Sequence, residues 1–98
     1  MPEAKELDAL VHSQVRLACL SILTGAEEAE FAYLRERCGA SDGNLSVHLS
    51  KLEAAGYIQA KKHFVGKKPQ SLYRITEKGR TAFSTYVQNL KSLLGKKF

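Results

Sequence analysis

Apolar residues recur at helical spacing along the first quarter of the chain. Leu7, Val11, Val15, Ala18, Cys19 and Ile22 share one broad face, and Leu10, Leu17 and Leu20 form a second stripe. The pattern predicts a helix over about residues 6–23, closed by Thr24-Gly25. A helix apolar on two sides is buried on two sides, and in so short a chain the second side points to contact with another chain. Residues 29–31 read as extended and residues 32–38 as a short helix, with Phe31, Leu34 and Cys38 turned inward. Gly39-Ala40-Ser41 then breaks the chain. Ser41 is a suitable cap, and Asp42 suits the positive end, of a helix over about 42–55. Leu45, Leu49 and Leu52 stand at i, i+4 and i+7 and fix its buried side, and Gly56 closes it.

After Gly56 the period changes. Residues 57–65 and 71–76 are rich in β-branched and aromatic residues and read as two strands, joined by a turn over Gly66-Lys67-Lys68-Pro69-Gln70. Thr76 can cap a last helix over about 77–94, striped on one side by Phe83, Tyr86, Val87, Leu90, Leu93 and Leu94. The predicted fold is mainly α with a β-hairpin, an α+β class. A short helix, a break and a second helix over about 32–55 form a helix-turn-helix, and the hairpin over about 57–76 makes it winged. Helices at both termini supply a dimer interface from Leu10, Leu17, Leu20, Phe83, Val87, Leu90 and Leu94. Such an arrangement suits double-stranded DNA: the second helix fits the major groove in width, and a protruding hairpin reaches the flanking backbone.

Length and charge sharpen this reading. A chain of 98 residues, 44% hydrophobic and 26% charged, fits one globular domain spanning 1–98, with no repeat or linker. It has no run of eighteen apolar residues, and its start lacks the basic-then-apolar pattern of a signal peptide, so a cytoplasmic protein without a membrane partner is expected. The net charge of +5 is unevenly spread. Residues 1–40 carry four Lys/Arg against seven acids, a balance of −3, while residues 41–98 carry eleven against three, a balance of +8. One part is suited to a polyanion and the other is not.

With Leu45, Leu49 and Leu52 inward, Asn44, Ser46, Val47, Ser50 and Lys51 fall on the exposed arc of the third helix. Asn can read adenine bidentately, Ser can bond bases or phosphate, Val47 can touch a thymine methyl, and Lys51 suits phosphate. Ser41 at the cap and Gly43, which lets a DNA backbone approach, join this set. His48 joins it too, although it borders the buried stripe and suits a second-layer role equally well. On the wing, Lys61, Lys62, His63, Lys67 and Lys68 are candidates for phosphate contact.

The chain resembles the winged-helix transcriptional regulators of the broad MarR/ArsR group, and most closely the small stand-alone winged helix DNA-binding domain regulators. The resemblance covers nearly the whole chain. It rests on His12-x-x-x-Arg16-Leu17, on Gly43-Asn44-Leu45-Ser46-x-His48-Leu49-x-x-Leu52-Glu53-x-Ala55-Gly56-Tyr57-Ile58, on Phe64-x-Gly66-x-x-Pro69, and on Thr76-x-x-Gly79-Arg80-x-Ala82-Phe83. It implies a homodimer that grips a pseudo-palindromic DNA site with two recognition helices and two wings.

Other chemistries find less support. His12 and Arg16 share one side of the expected first helix, where an ion pair with Glu53 is a simpler role than a ligand site. His12, His48 and His63 lack metal-ligand spacing, and the cysteine-rich metal-sensing motif of many ArsR proteins is absent, so no metal or cofactor is expected. Cys19 and Cys38 read as buried reduced thiols. Arg35 and Arg37 flank Cys38 in a way that favours a reactive thiolate, but its inward spacing favours a small hydrophobe. There is no Gly-rich phosphate loop, nucleophile elbow or paired catalytic carboxylate, and Glu27, Glu28 and Glu30 read as a solvated cluster, so an enzyme is not expected. No residue pattern specifies a small-molecule effector. The competing reading is a winged-helix module that binds protein instead of DNA, which would not need the lysines of the wing.

Overall fold

Asp8 and Ser13 decide where the first helix begins. In the computed structural model, which describes residues 7–95, the Asp8 carboxylate accepts from Leu10 N at 2.9 Å, and its carbonyl accepts from Val11 N and His12 N. This closes a turn ahead of Ser13, whose extended backbone and side chain, accepting from Arg16 N, cap α1, Gln14–Gly25. The helix thus starts about eight residues later than the hydrophobic spacing predicts, and the first residue of the expected span, Glu6, lies outside the described residues. The reason is local. Asp and Ser side chains offer backbone N–H groups a partner outside the helix, and two such residues outweigh a continuous apolar period.

Next come β1, Ala29–Glu30, and α2, Phe31–Cys38. Gly39 stops α2 in the left-handed conformation, at φ 64°, with its N–H bonded to the Arg35 carbonyl. Ser41 then caps α3, Asp42–Ala54, accepting from Asn44 N at 3.2 Å. Arg35 on α2 pairs with Asp42 on α3 at 2.7 Å across this break.

The wing is tighter than expected. Strands β2, Ile58–Val65, and β3, Lys68–Ile75, pair antiparallel from Ile58↔Ile75 out to Val65↔Lys68, which leaves only Gly66-Lys67 as the turn. Gly66, at φ 64°, supplies the positive φ of a two-residue hairpin, so Lys68, Pro69 and Gln70 belong to the strand instead of a five-residue loop. Pro69 is tolerated because β1 covers β3 only at Leu72 and Tyr73, leaving that edge open towards the tip. Thr76 caps α4, Glu77–Leu94, through Gly79 N at 3.0 Å and donates its hydroxyl to the Gly56 carbonyl at 2.6 Å, tying helix to wing root.

Val11, Cys19, Leu20, Leu23, Leu34, Leu45, Leu49, Leu52 and Ile58 form the fully buried core, closed by Ala29, Ile75 and Tyr86. Helix α1 runs through its centre and packs on α2, α3, α4 and β3. This corrects two expectations. Leu20 is 0% exposed and belongs to the core, not to a dimer surface, because α1 packs against α2, α3, α4 and β3 of the same chain. Arg16 does not pair with Glu53: its Nε donates to the Leu10 carbonyl at 2.6 Å and its Nη1 to His48 Nδ1 at 2.9 Å. His12 precedes α1 and shares a 2.8 Å hydrogen bond with the Tyr86 hydroxyl, so the two residues act separately.

Candidate nucleic-acid interface

Three buried leucines hold α3 in one rotation. Leu45 and Leu52 are fully buried and Leu49 nearly so, which turns Asn44, Ser46, Val47, Ser50 and Lys51 outward, all exposed. Ser46, Val47, Ser50 and Lys51, together with Ala54, line one shallow depression. Val47, 54% exposed, is an apolar spot within this polar arc. Ala54 is absent from the sequence-based set, although its place at i+4 from Ser50 extends the same row. Ser41 and Gly43 are exposed at the start of α3, and nothing lies within 4 Å of where a Cβ on Gly43 would stand. The Ser41 hydroxyl oxygen is engaged as the cap acceptor, leaving its O–H free to donate outward.

His48 differs from this group. It is half-buried and faces α1, where a guanidinium can only donate, so Nδ1 is the acceptor and the ring is neutral with its proton on Nε2. Burial, then the charges of Arg16 and Lys51, hold it below the usual histidine range. Through its contact with Arg16, His48 braces α3 against α1. Among the described residues, the positive charge of α3 that faces outward is that of Lys51.

The wing projects its charges in several directions. Side chains alternate across a strand, so Lys61 shares a face with His63, Val65 and Lys68, while Lys62 lies with Ala60 and Phe64 on the face that carries Ile58 into the core. Lys67 stands at the turn. All four lysines are exposed. His63 is half-buried, and its Nε2 shares a 2.9 Å hydrogen bond with the Oε1 of Gln70, its cross-strand partner. Phe64, at 71%, and Val65, at 54%, stand exposed at the tip among these cations. Neither belongs to the contacts expected from sequence: alternation from Ile58 puts Phe64 on the core-side face, yet β2 is exposed or half-buried throughout beyond Ile58.

Tyr57, where α3 passes into the wing, donates its hydroxyl to Asp8 Oδ2 at 2.7 Å, and that bond, with partial burial, pushes its pKa up to about 12. The segment before α1 is thereby anchored to the wing root. The surface therefore combines a polar helix face, set by a rigid core, with a cationic hairpin fixed at its base. No helix among the described residues is long and apolar enough to cross a membrane.

Comparison with known proteins agrees with this geometry. An uncharacterized protein of Methanocaldococcus jannaschii is 39% identical over 84 residues, covering 86% of this chain and 91% of that one. The structure of a transcriptional regulator homologue from Pyrococcus horikoshii superposes with a TM-score of 0.79 at 24% identity, over 87% of this chain and 84% of that one. A MarR-family transcriptional regulator from Silicibacter pomeroyi shares the fold at a TM-score of 0.71 and 21% identity, over 92% of this chain and 60% of that one. The family model of the winged helix DNA-binding domain matches residues 15–94, and with that match the chain belongs to the winged helix DNA-binding domain family.

Proposed function

We propose that the chain acts as a single domain over 1–98, in the cytoplasm, as a homodimeric transcriptional regulator that binds a specific double-stranded DNA site. The observation that carries this reading is the outward arc of α3: Asn44, Ser46, Val47, Ser50 and Lys51 are exposed together on a helix locked from behind by three buried leucines. The arc enters the major groove. Asn44 and Ser46, in the first turns, meet base edges, Val47 meets a thymine methyl, and Ser50 and Lys51 reach phosphate. Ser41 and Gly43 pass close to the backbone. Lys61, Lys62, Lys67 and Lys68 take flanking phosphates, with His63 held beside them by Gln70. The half-buried Leu10, Leu17, Phe83, Val87 and Leu90 and the exposed Leu94 form the surface for the second protomer.

Binding selection from a randomised duplex library tests the proposal and supplies the site. The expected outcome is enrichment of a sequence with two-fold symmetry. Asn44→Ala and Ser46→Ala then each weaken the selected duplex about 5–150-fold, or about 1–3 kcal/mol, and weaken random duplex much less. Circular dichroism checks that both variants remain folded. Failure to retain any duplex overturns the reading and favours the protein-binding module. Equal weakening on selected and random DNA removes base reading from Asn44 and Ser46.

A further inference from the structure

We propose that Cys19 and Cys38 form a redox modification site, at which a hydroperoxide produces a reversible intrachain disulfide joining α1 to the C-terminal end of α2. The two cysteines lie on different helices, yet their sulfurs are only 3.3 Å apart. Both are free thiols. Cys19 is completely buried, whereas Cys38 is half-buried at the last position of α2, directly before the left-handed Gly39. One cysteine is partly open to solvent and the other lies buried against it, the arrangement of an attacking and a resolving thiol.

The arginines beside Cys38 in sequence are engaged elsewhere. Arg35 pairs with Asp42, and the Arg37 guanidinium stacks over the Tyr33 ring with 4.8 Å to its centroid. The proposal therefore rests on the pairing of the two sulfurs and not on flanking charge. Burial and the hydrogen bond shared with Cys38 push the Cys19 thiol up, which leaves Cys38 as the sulfur that reacts first.

The chemistry balances with a hydroperoxide as the oxidant. The Cys38 thiolate attacks one peroxide oxygen and the O–O bond breaks. The products are a sulfenic acid and, with hydrogen peroxide, a hydroxide that takes up the proton released by Cys38 and becomes water. The Cys19 sulfur then attacks the Cys38 sulfur. The S–S bond forms, the S–O bond breaks, and the departing hydroxide leaves as water with the Cys19 proton. Two thiols are oxidised and one peroxide is reduced to two waters; a dithiol reductant reverses the bond by exchange. Closing the gap to the disulfide length of about 2.05 Å needs a movement of roughly 1.3 Å. That is within the reach of the two side chains and of the glycine joint next to Cys38.

The test uses the full chain and hydrogen peroxide, followed by alkylation of remaining thiols under denaturing conditions and intact mass measurement. The wild type should lose two hydrogen masses, take up no alkylating agent, migrate as a single chain without reductant and yield a peptide linking Cys19 to Cys38. Dithiothreitol should restore both thiols. In Cys19→Ala, oxidation should stop at a sulfenic acid on Cys38 that dimedone traps. In Cys38→Ser, the buried Cys19 should react at least about tenfold more slowly than Cys38 does in the wild type. An unchanged wild-type mass, accumulation of a sulfinic acid on Cys38, or a disulfide between two chains overturns the proposal. So does fast oxidation of Cys19 in Cys38→Ser. None of these readouts involves DNA, so they stand or fall separately from the function proposed above.

Discussion

A Cβ at position 79 would run into the Tyr57 carbonyl oxygen and stand 2.8 Å from Ile75 Cγ1. That carbonyl cannot easily retreat, because it accepts from Thr76 N at 3.0 Å. Gly79 is thus required by close approach of α4 to the wing root. Gly79→Ala should lower stability by about 2 kcal/mol, because overpacking outweighs the roughly 1 kcal/mol that alanine gains in a helix. Urea unfolding checks this, and a midpoint equal to or above wild type contradicts it. His48 gives a prediction with a pH sign. Its folded pKa lies below the ordinary 6.5, so the unfolded chain binds the proton first as pH falls. The contribution of a neutral His48 is complete above about pH 6.5 and is lost as pH drops towards the folded value. His48→Gln, which can still accept from Arg16, removes that loss. The wild type should therefore lose more melting temperature than His48→Gln between about pH 7.5 and pH 5; parallel declines would contradict it. The buried sides of Leu45, Leu49 and Leu52 are legible from spacing alone. The Arg16–His48 contact is not, because it joins positions 32 apart in sequence that only the packing of α3 on α1 brings together.

At the scale of elements, capping and turn chemistry separate what can be read from what cannot. The caps at Ser41 and Thr76 and the limits of α3 and α4 follow the sequence closely, since a capping hydroxyl precedes a clear apolar period in both. The start of α1 escapes such a reading because apolar spacing continues through Asp8 and Ser13, and periodicity says nothing about which backbone groups those side chains capture. The wing turn escapes it because Pro69 signals a loop, whereas the strand edge open at its position admits it. This matters for charge: Lys67 occupies the turn, and Lys68 pairs opposite Val65 on the face shared with Lys61. Lys67→Ala with Lys68→Ala should weaken binding to every duplex alike. It should also reduce the slope of log affinity against log salt by up to about two units per protomer, roughly one for each phosphate left without its lysine. An unchanged slope would show that these lysines serve only solubility.

Over the whole molecule, the dimensions are 58 × 25 × 21 Å, elongated for a chain of this length. Along α4, Tyr86 is buried in the core while Leu93 and Leu94 farther on remain 46% and 47% exposed. Val87 and Leu90 lie between, half-buried, and Leu17 and Leu10 are similarly incomplete in their burial. A small core has no further element to place over them, so a second copy using the same patch about a two-fold axis is the economical cover. The loss of Leu20 to the core shifts the centre of that patch towards α4. Sedimentation at tens of micromolar should then find a dimer for the wild type, since about that concentration populates even a weak interface. Leu94→Asp places a charge in the interface at a residue the monomer leaves exposed, so it should give a folded monomer. Leu90→Asp should do the same, with some loss of stability because Leu90 also touches the core. If two recognition helices are joined only by this contact, the monomeric variants should bind the selected duplex about 100-fold or more weaker. Their binding to a single half-site should stay close to that of one wild-type protomer. A wild-type monomer, or Leu94→Asp that dimerises and binds as before, would place the partner surface elsewhere and leave the exposed end of α4 without this role.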